Sequence, residues 1–423
     1  MTERVAVSLF SGCGGLCEGV RLAGFKVISA VEWDPFACST YRANFPEVAL
    51  YEGDVHHFLN PESEAWRRVA HLHSALETSP VDLLFGGPPC QGYSQIGTRV
   101  LEDPRNELYL QYIRILTTLK PRMFLMENVP NMLLLGKGRF KREVLEAFRD
   151  AGYSNCGVQV VTASDYGVPQ VRRRAIFFGV RDGEQLGVDA SAFLEGALKL
   201  EEREAPTAWA AIEDLPEKTA IHYEEIRYPV SGIKSEFLDN MRLDRDGEVY
   251  TSAQKRSARG QGKDRLNNHH TKEIQERRKK LIALLEPGAK GDTLPKEVWD
   301  GARPEKWRRL PTDRPAYTIL AQMHRDLSEW VHPKHQRWIT VREAARLQSF
   351  HDGFVFQSSE WQMLKQIGNA VPPLMARALA SAASRALDAL DAEGEVLDLD
   401  PVLRGAGQPL LPGASPFDLE AAV

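Results

Sequence analysis

The first 180 residues alternate between short β-rich runs and segments with helical periodicity, and this alternation constrains the fold more than any other feature. Strands are predicted at residues 5–10, 26–31, 81–85, 123–126, 157–162 and 175–180. Helices are predicted at residues 16–23, 107–119 and 140–151. Alternation of this kind implies parallel strands joined by helical crossovers. The predicted fold class is therefore α/β, with a doubly wound, mostly parallel sheet.

The alternation ends near Asp182, and the rest of the chain has a different character. Residues 182–334 are polar and irregular, with a basic stretch at 255–265 and a charged, helix-like segment at 272–285, and they are predicted to form a second, smaller domain. Residues 340–350 and 374–390 are predicted to be amphipathic helices. The tail, residues 391–423, is acidic and rich in Pro and Gly, which predicts disorder.

Composition narrows the class of protein. The chain has 423 residues, 43% of them hydrophobic and 26% charged, as expected for a globular protein large enough for several packed units. Its net charge of −5 means that any polyanionic partner must meet a local basic surface. There is no apolar targeting segment at the N-terminus and no membrane-spanning stretch, so we expect a cytoplasmic protein. The five cysteines lack metal-ligand spacing with histidine, which predicts reduced thiols and no metal.

One thiol has an unusual sequence context. Cys90 stands in Pro88-Pro89-Cys90-Gln91, shortly after the predicted strand at 81–85. The prolines fix φ and donate no backbone hydrogen bond, so the strand ends there and the thiol sits on a stiff segment. This arrangement suits a nucleophile, although most free cysteines are small core residues. The loop that follows, residues 92–97, is predicted to move freely.

A glycine-rich turn, Phe10-Ser11-Gly12-Cys13-Gly14-Gly15, follows the first predicted strand and opens a helix. Doubly wound sheets bind nucleotide-like ligands at this place. The turn is not a dinucleotide fingerprint, because the third glycine position falls on Cys17, and it has no P-loop lysine. A tight strand-to-helix turn without a ligand is the alternative interpretation.

Three further side chains favour a ligand at this turn. Glu32 ends the second predicted strand about twenty residues after Gly12, where an acidic side chain accepts hydrogen bonds from both ribose hydroxyls. Trp33 is suited to stack on an adenine, and Asp54 to accept from its amino group. Together these residues predict a pocket for an adenosine that carries no phosphate. Singly, Glu32 is also consistent with a solvated strand end and Trp33 with a core aromatic.

Seven short motifs follow one another along the chain. They are Phe10-x-Gly12-x-Gly14-Gly15, Glu32-Trp33, Pro88-Pro89-Cys90-Gln91, Glu127-Asn128-Val129, Gln170-x-Arg172-x-Arg174, Thr340-Val341-Arg342-Glu343 and Gly368-Asn369-Ala370-Val371-Pro372-Pro373. In this order they resemble the DNA (cytosine-5)-methyltransferases of bacterial restriction-modification type. The resemblance covers residues 1–180 and about 335–385, with a non-matching insert between them.

The resemblance implies a division of the chain and a set of ligands. Residues 1–181 would form the S-adenosyl-L-methionine (AdoMet)-dependent methyltransferase sheet, 182–334 a smaller, irregular target-recognition domain, and 335–390 a segment that returns to the first domain. It implies AdoMet as cofactor, double-stranded DNA as substrate, a separate cognate restriction endonuclease as partner, no membrane association and a monomer. The implied cofactor-binding residues are Phe10, Gly12, Gly14, Gly15, Glu32, Trp33, Asp54, Pro89 and Asn369.

The chemistry of cytosine methylation assigns roles to the candidate catalytic residues. Carbon C5 of cytosine is a poor nucleophile, so the Cys90 thiolate would add to C6 and make C5 enamine-like. Glu127 would hydrogen-bond N3 and the exocyclic amine, while Arg174 and Arg172 would hold O2 or orient Glu127 and the thiol. Singly, Glu127 is also consistent with a helix cap and the arginines with a solvated basic run.

The target atom is inaccessible inside a duplex, so the base must be flipped out, and residues 92–99 are suited to close over it. The candidate DNA-binding residues are Gln91, Ser94, Lys255, Arg256, Arg259, Lys263 and Arg265. For the basic stretch, a flexible solvated loop is the competing interpretation. The sequence does not reveal the recognition sequence, because no code links side chains of the insert to bases.

Three other functions would share some of these sequence features. A tRNA cytosine-5 methyltransferase of the same family would carry a Cys-Phe-Thr motif in the variable region, whereas this chain has no cysteine after Cys156. A catalytically silent regulator that binds AdoMet and DNA would not need Cys90, Glu127 and Arg174. A nicotinamide-dependent oxidoreductase would need the missing third glycine. The sequence therefore favours a DNA methyltransferase that protects host DNA.

Overall fold

The computed structural model describes residues 3–59, 81–89, 107–184, 186–220, 226–227, 232–233, 235–242, 265–297, 307–321 and 329–392. Seven candidate site residues lie outside these ranges: Cys90, Gln91, Ser94, Lys255, Arg256, Arg259 and Lys263. The predicted mobile loop after Gln91 and nearly all of the predicted disordered tail also lie outside them.

A seven-stranded sheet forms the centre of the molecule, in the order β3-β2-β1-β4-β5-β8-β6. Its strands are β1 (Val5–Leu9), β2 (Lys26–Glu32), β3 (Ala49–Glu52), β4 (Leu83–Gly86), β5 (Met123–Asn128), β6 (Asn155–Thr162) and β8 (Arg173–Val180). The pairs from β3 through β5 are parallel, whereas β8 runs antiparallel to both β5 and β6. The predicted α/β class and mostly parallel sheet are confirmed.

Helices cover both faces of this sheet. They are α1 (Gly15–Leu22), α2 (Pro35–Asn44), α3 (Glu107–Leu119), α4 (Arg139–Asp150), α5 (Ala190–Lys199), α8 (Val341–Leu347), α9 (Glu360–Asn369) and α10 (Pro373–Asp391). Successive residues of β1 enter different cores, because side chains alternate across a strand: Ala6 packs with α1 and α10, and Val7 with α3 and α4. Burial on both faces explains why the strands read as continuous apolar runs.

Helix α10 packs closely on α1. A Cβ atom at Gly19 of α1 would lie 2.3 Å from the Cβ of Ala376, so glycine permits the two helices to approach. Farther along α10, the carbonyl of Ser384 accepts a hydrogen bond from Arg4 at 2.7 Å, just before β1. The last helix of the described chain is therefore joined to its first elements.

Short elements fill most of the region after residue 200. The pairs are β9 (Ile226–Arg227) with β10 (Arg265–Leu266), β11 (Trp307–Arg309) with β13 (Glu329–Val331), and β12 (Ala316–Tyr317) with β7 (Gln170–Val171). The helices here are α6 (Glu236–Met241) and α7 (Glu276–Ala283), and 3-10 turns occur at Val55–His57, Pro130–Leu134, Ala163–Asp165 and Gly291–Thr293. No helix in the described ranges has both the length and the apolar character to cross a membrane.

Several predicted bounds differ from those observed. The prediction that residues from 182 onward are irregular is wrong for α5, which packs against β6 and α10. The helix predicted at 340–350 ends at Leu347, because Ser349 adopts a left-handed φ of 61° that a helix cannot contain. The charged helix predicted at 272–285 is confined to 276–283.

The Thr340-Val341-Arg342-Glu343 motif builds the start of α8. Thr340 caps the helix, and its hydroxyl and the Glu343 carboxylate bond reciprocally to backbone N–H groups. Arg342 is buried and donates to the carbonyls of His351 and Phe354. These residues are used for packing and capping of the fold.

Candidate functional site

The candidate catalytic and cofactor residues meet at one edge of the sheet. Because β1, β2, β4 and β5 are parallel, their carboxyl ends share that edge. Arg174 lies at the beginning of β8. Since β8 is antiparallel to β5, its beginning still pairs with the end of β5, where Asn128 faces Ala175.

The glycines of the Phe10–Gly15 turn differ in the space around their Cβ positions. A Cβ atom at Gly14, whose φ is +101°, would lie 2.3 Å from the ring of Phe45, and one at Gly15 would lie 2.5 Å from the Val371 carbonyl oxygen. These two positions need glycine for packing. At Gly12, with φ +56°, no heavy atom of the described residues lies within 4 Å of the Cβ position. The space beside Gly12 therefore admits a ligand against the backbone.

Glu32 fixes this turn to the end of β2. Its Oε2 accepts the N–H of Gly12 at 2.6 Å, and its Oε1 accepts those of Trp33 and Asp34 at 2.9 and 2.8 Å. Burial raises the pKa of Glu32, while the three backbone N–H groups oppose the shift. A carboxylate has about four lone-pair positions, so one remains for a further donor such as a sugar hydroxyl.

Trp33 is 72% exposed, so the alternative of a core aromatic is wrong, and its ring is available for stacking. Asp54 caps the 3-10 turn after β3: its Oδ1 accepts the N–H of His56 at 3.0 Å and lies 2.5 Å from that ring's Nδ1. Burial works against ionisation of Asp54, but the contacts with His56 prevail and lower its pKa. Asp54 is therefore an anionic acceptor beside the pocket edge.

The end of α9 lies next to the glycine turn. Asn369 is the exposed last residue of α9, and the next two residues, Ala370 and Val371, contact the Cβ position of Gly15. Pro89, the other candidate at this edge, is exposed, and the buried Pro88 precedes it. The structure thus brings together Phe10, Gly12, Gly14, Gly15 and Asn369, with Glu32 joined to the same turn.

The end of β5 supports the segment that leads to Cys90. Asn128 donates a side-chain hydrogen bond to the Pro88 carbonyl at 3.0 Å. A Cβ atom at Gly87 would lie 2.7 Å from Oε2 of Glu127, so glycine makes room there for the carboxylate. Glu127 consequently lies directly against the backbone that precedes Cys90. Asn128 belongs to the Glu127-Asn128-Val129 motif, but its bond to Pro88 was not predicted from the sequence.

Glu127 and Arg174 form an ion pair. Oε1 of Glu127 lies 2.5 Å from Nε of Arg174, and the two side chains are 14% and 13% exposed. Such a shielded, charge-assisted contact fixes both side chains more firmly than a surface ion pair. The pair presents a carboxylate and a guanidinium side by side at the sheet edge, which matches the donors and acceptors of a cytosine ring.

Arg172 is 1% exposed, so the alternative of a solvated basic run is wrong for this residue. Its Nη1 donates to the Ile319 carbonyl at 3.0 Å, and its Nε has no hydrogen-bond partner among the described residues. Burial, together with the charge of Arg174, lowers the pKa of Arg172 to about 9, although Glu127 opposes the shift. Three charged groups therefore act on one another at this edge.

Arg265 is the one candidate of the basic stretch within the described ranges. It is exposed and lies in β10, where it pairs with Arg227 of β9. The β9–β10 ribbon is separate from the main sheet.

Comparison with known proteins gives a consistent result. A family model for C-5 cytosine-specific DNA methylases matches residues 5–385. The chain is similar to the type II methyltransferase M.AgeI of Thalassovita gelatinovora, at 32% identity over 88% of this chain and 97% of the relative. It is also similar to the type II methyltransferase M.XorII of Xanthomonas oryzae pv. oryzae, at 34% identity over 92% of this chain and 86% of the relative.

A solved structure shares the fold as well. An Escherichia coli prophage-encoded protein, described as a DNA modification methyltransferase, superposes with a TM-score of 0.69 at 27% identity. The match covers 91% of this chain and 100% of that one.

Proposed function

The chain belongs to the C-5 cytosine-specific DNA methylase family and is a DNA (cytosine-5)-methyltransferase, and on that premise we propose how its residues carry the reaction. The family predicted from the order of the motifs is thus confirmed. The substrate is a cytosine flipped out of double-stranded DNA into the edge of the sheet. The observation that carries the catalytic assignment is the Glu127–Arg174 ion pair against Gly87.

The Cys90 thiolate adds to C6 of the target cytosine, and the electron pair of the C5–C6 double bond moves into the ring. Glu127 accepts a hydrogen bond from the exocyclic amine and, once it has taken up a proton, donates one to N3, while Arg174 stabilises the negative charge that develops toward O2. Arg172 attracts the Glu127 carboxylate electrostatically. C5 would then bond to the methyl group as the methyl–sulfur bond of AdoMet breaks and leaves S-adenosylhomocysteine. Loss of the C5 proton to a base or water would return the electron pair to the C5–C6 bond and expel the thiolate.

The cofactor pocket fits S-adenosyl-L-methionine, which supplies the electrophilic methyl group. The open space beside Gly12, the remaining acceptor position of Glu32 and the exposed ring of Trp33 support an adenosine that carries no phosphate. Phe10, Gly14, Gly15, Asp54, Pro89 and Asn369 complete the proposed set. Asp54 accepts the adenine amino group in this arrangement.

The biological role proposed is protection of host DNA. M.AgeI and M.XorII are both named type II methyltransferases, which supports a partnership with a separate restriction endonuclease that cuts the same site. We place the enzyme in the cytoplasm, because that is where its DNA substrate lies, and the monomer stays a prediction. Gln91, Ser94, Lys255, Arg256, Arg259, Lys263 and Arg265 stay predicted DNA contacts.

Methyl transfer from tritiated AdoMet tests the reaction. We expect wild-type protein to label duplex DNA, and Cys90→Ala to lose the label while still binding S-adenosylhomocysteine. Transfer RNA serves as the control substrate and should stay unlabelled. An active Cys90→Ala variant would remove Cys90 from the mechanism.

Covalent trapping tests the C6 adduct directly. A fluorine at C5 cannot leave as a cation, so duplex DNA with 5-fluorocytosine in the target site should leave a protein–DNA adduct that survives denaturation. Absence of the adduct with active enzyme would contradict addition at C6.

A further inference from the structure

Residues 318–321 are held between the catalytic and cofactor sides of the site. On the catalytic side, the hydroxyl of Thr318 donates to the Val171 carbonyl at 2.6 Å, and the Ile319 carbonyl accepts from Arg172 at 3.0 Å. These bonds extend the parallel pairing of β12 with β7. The segment therefore supports the buried arginine next to the Glu127–Arg174 pair.

The same segment touches the cofactor side. A Cβ atom at Gly368 would lie 2.4 Å from the carbonyl carbon of Leu320 and 2.4 Å from the backbone nitrogen of Ala321. Backbone atoms cannot give way as a flexible side chain does, so glycine is required for this approach. Gly368 directly precedes Asn369, a candidate cofactor residue.

Two buried glutamines join these contacts through their side-chain amides. Oε1 of Gln170 accepts the Ile319 N–H at 2.6 Å, and its Nε2 donates to Oε1 of Gln348 and, at 3.1 Å, to the Leu347 carbonyl. Nε2 of Gln348 in turn donates to the carbonyls of Ile367 and Ala370 at 3.0 and 2.6 Å. The chain of bonds thus runs from the segment to the end of α9.

The chain ends at the glycine turn. Ala370 and Val371 lie against the Cβ position of Gly15, at 3.0 and 2.5 Å. Both glutamine side chains are fully buried. A buried amide needs a donor and an acceptor at fixed places, because an unmade hydrogen bond in the interior is costly. A side chain lacking either function would break the connection.

We propose that Gln170 and Gln348 are positioning residues that hold the target-base side and the cofactor side of the site in a fixed position relative to each other. Neither glutamine touches a reacting group. They act through Ile319 and Arg172 on one side and through Ala370 and Gly15 on the other. The assignment of the two sides rests on the proposed function.

Binding of S-adenosylhomocysteine, measured by calorimetry without DNA, tests the proposal. Gln170→Met and Gln348→Met remove the amides and keep the side-chain length. We expect each to weaken binding roughly tenfold and to lower kcat on duplex DNA similarly, the equivalent of one buried hydrogen bond. The telling variant is Gln170→Met, because Gln170 contacts the segment on the catalytic side.

Gln159→Met is the matched control. Gln159 lies on β6, where its Nε2 donates to the Ser191 carbonyl at 2.7 Å, away from the chain of amides. Gln159→Met removes a comparable hydrogen bond, but the S-adenosylhomocysteine dissociation constant and kcat should both stay within about twofold of wild type. In the Gln170→Met/Gln348→Met double variant, the loss of S-adenosylhomocysteine affinity should not exceed that of the weaker-binding single variant. Both changes interrupt the same series of hydrogen bonds.

A Gln170→Met variant that matches Gln159→Met in both constants would overturn the proposal, and so would losses that multiply in the double variant. Where a Met variant does not fold, Gln170→Glu keeps the acceptor for Ile319 and removes the donor to Gln348. It should still weaken cofactor binding. Calorimetry measures S-adenosylhomocysteine binding and does not require catalysis. Failure of the wild-type enzyme to methylate DNA would therefore refute the proposed function without deciding whether the glutamines position the site.

Discussion

The two halves of the site are built by different means. On the cofactor side, the Phe10–Gly15 turn is held by backbone groups: glycine contacts with Phe45 and Val371, and N–H groups donated to Glu32. On the proposed catalytic side, Glu127 and Arg174 are held by their opposite charges, and Arg172 by its hydrogen bond to the Ile319 carbonyl. The cofactor half should therefore respond to changes of shape, and the catalytic half to changes of charge at constant shape.

The largest effect is expected at Glu127. Glu127→Gln keeps the volume beside Gly87 but removes the charge that faces Arg174, so kcat on duplex DNA should fall about 10³-fold. Affinity for S-adenosylhomocysteine should stay within about twofold, because the change leaves the turn intact. Glu143→Gln, at a helix-surface ion pair with Arg139, is the control. Equal losses in both variants would contradict a special role for charge.

The next largest effect separates two glycines of one turn. Gly14→Ala should lower the free energy of unfolding by about 3 kcal/mol, because the added methyl group would overlap the ring of Phe45. Gly12→Ala faces open space and should cost only about 1 kcal/mol from its left-handed backbone. Denaturant unfolding measures both. Gly12→Ala should nevertheless bind S-adenosylhomocysteine roughly tenfold more weakly; unchanged binding would mean that the cofactor lies elsewhere.

Acid should destabilise the protein through buried titratable groups and leave the glycine turn, which is held by backbone contacts, unaffected. Burial lowers the pKa of His332 to about 3 from an ordinary value of 6.5, although nearby Glu343 opposes this. The unfolded chain then binds more protons between those values, so stability should fall as pH drops below about 6.5. The slope from this one group approaches about 1.4 kcal/mol per pH unit.

His332→Asn isolates that contribution, since Asn stays neutral. Unfolding free energies of wild type and variant, compared from pH 7 to pH 5, should show a shallower slope for the variant. His57→Asn, at an exposed position, is the control and should follow wild type. Parallel slopes for His332→Asn and wild type would contradict the assignment.

The smallest expected effect is at Trp33. Trp33→Ala removes an exposed ring, so the free energy of unfolding should hardly change, while S-adenosylhomocysteine affinity should fall roughly fivefold. Trp361→Ala, at a partly exposed ring near the start of α9, supplies the comparison. If both variants bind alike, stacking by Trp33 is not part of the pocket.

Six of the seven strands of the central sheet were predictable because strands buried on both faces leave unbroken apolar runs in the sequence, whereas β3 (Ala49–Glu52) was missed. Helix α2 was missed although Asp34 caps it and Pro35 opens it, since three of its four buried residues, Ala37, Cys38 and Thr40, are small and give only a weak apolar periodicity. The direction of β8 was not predictable either. Whether Arg173–Val180 pairs parallel or antiparallel with β5 depends on neighbours distant in sequence.

Short motifs in the sequence singled out Glu127 and Glu32, and the structure places both at the carboxyl ends of parallel strands, β5 and β2. The contacts that hold these motifs in place were not predictable. Gln170 meets Gln348, and Arg172 meets Ile319, across more than a hundred residues, and no local pattern signals such a meeting. Sequence also did not distinguish Gly12, which faces open space, from Gly14, which faces Phe45.

The packing of α10 on α1 has a consequence for biosynthesis. The ribosome completes α1 at Leu22, but its partner helix begins only at Pro373, so the glycine face of α1 stays uncovered until α10 has been made. We expect a chain cut at residue 372 to leave α1 open to protease, which limited proteolysis would measure against the uncut chain. Nascent chains without α10 should therefore lack methylating activity, and DNA methylation would begin only once α10 has been made.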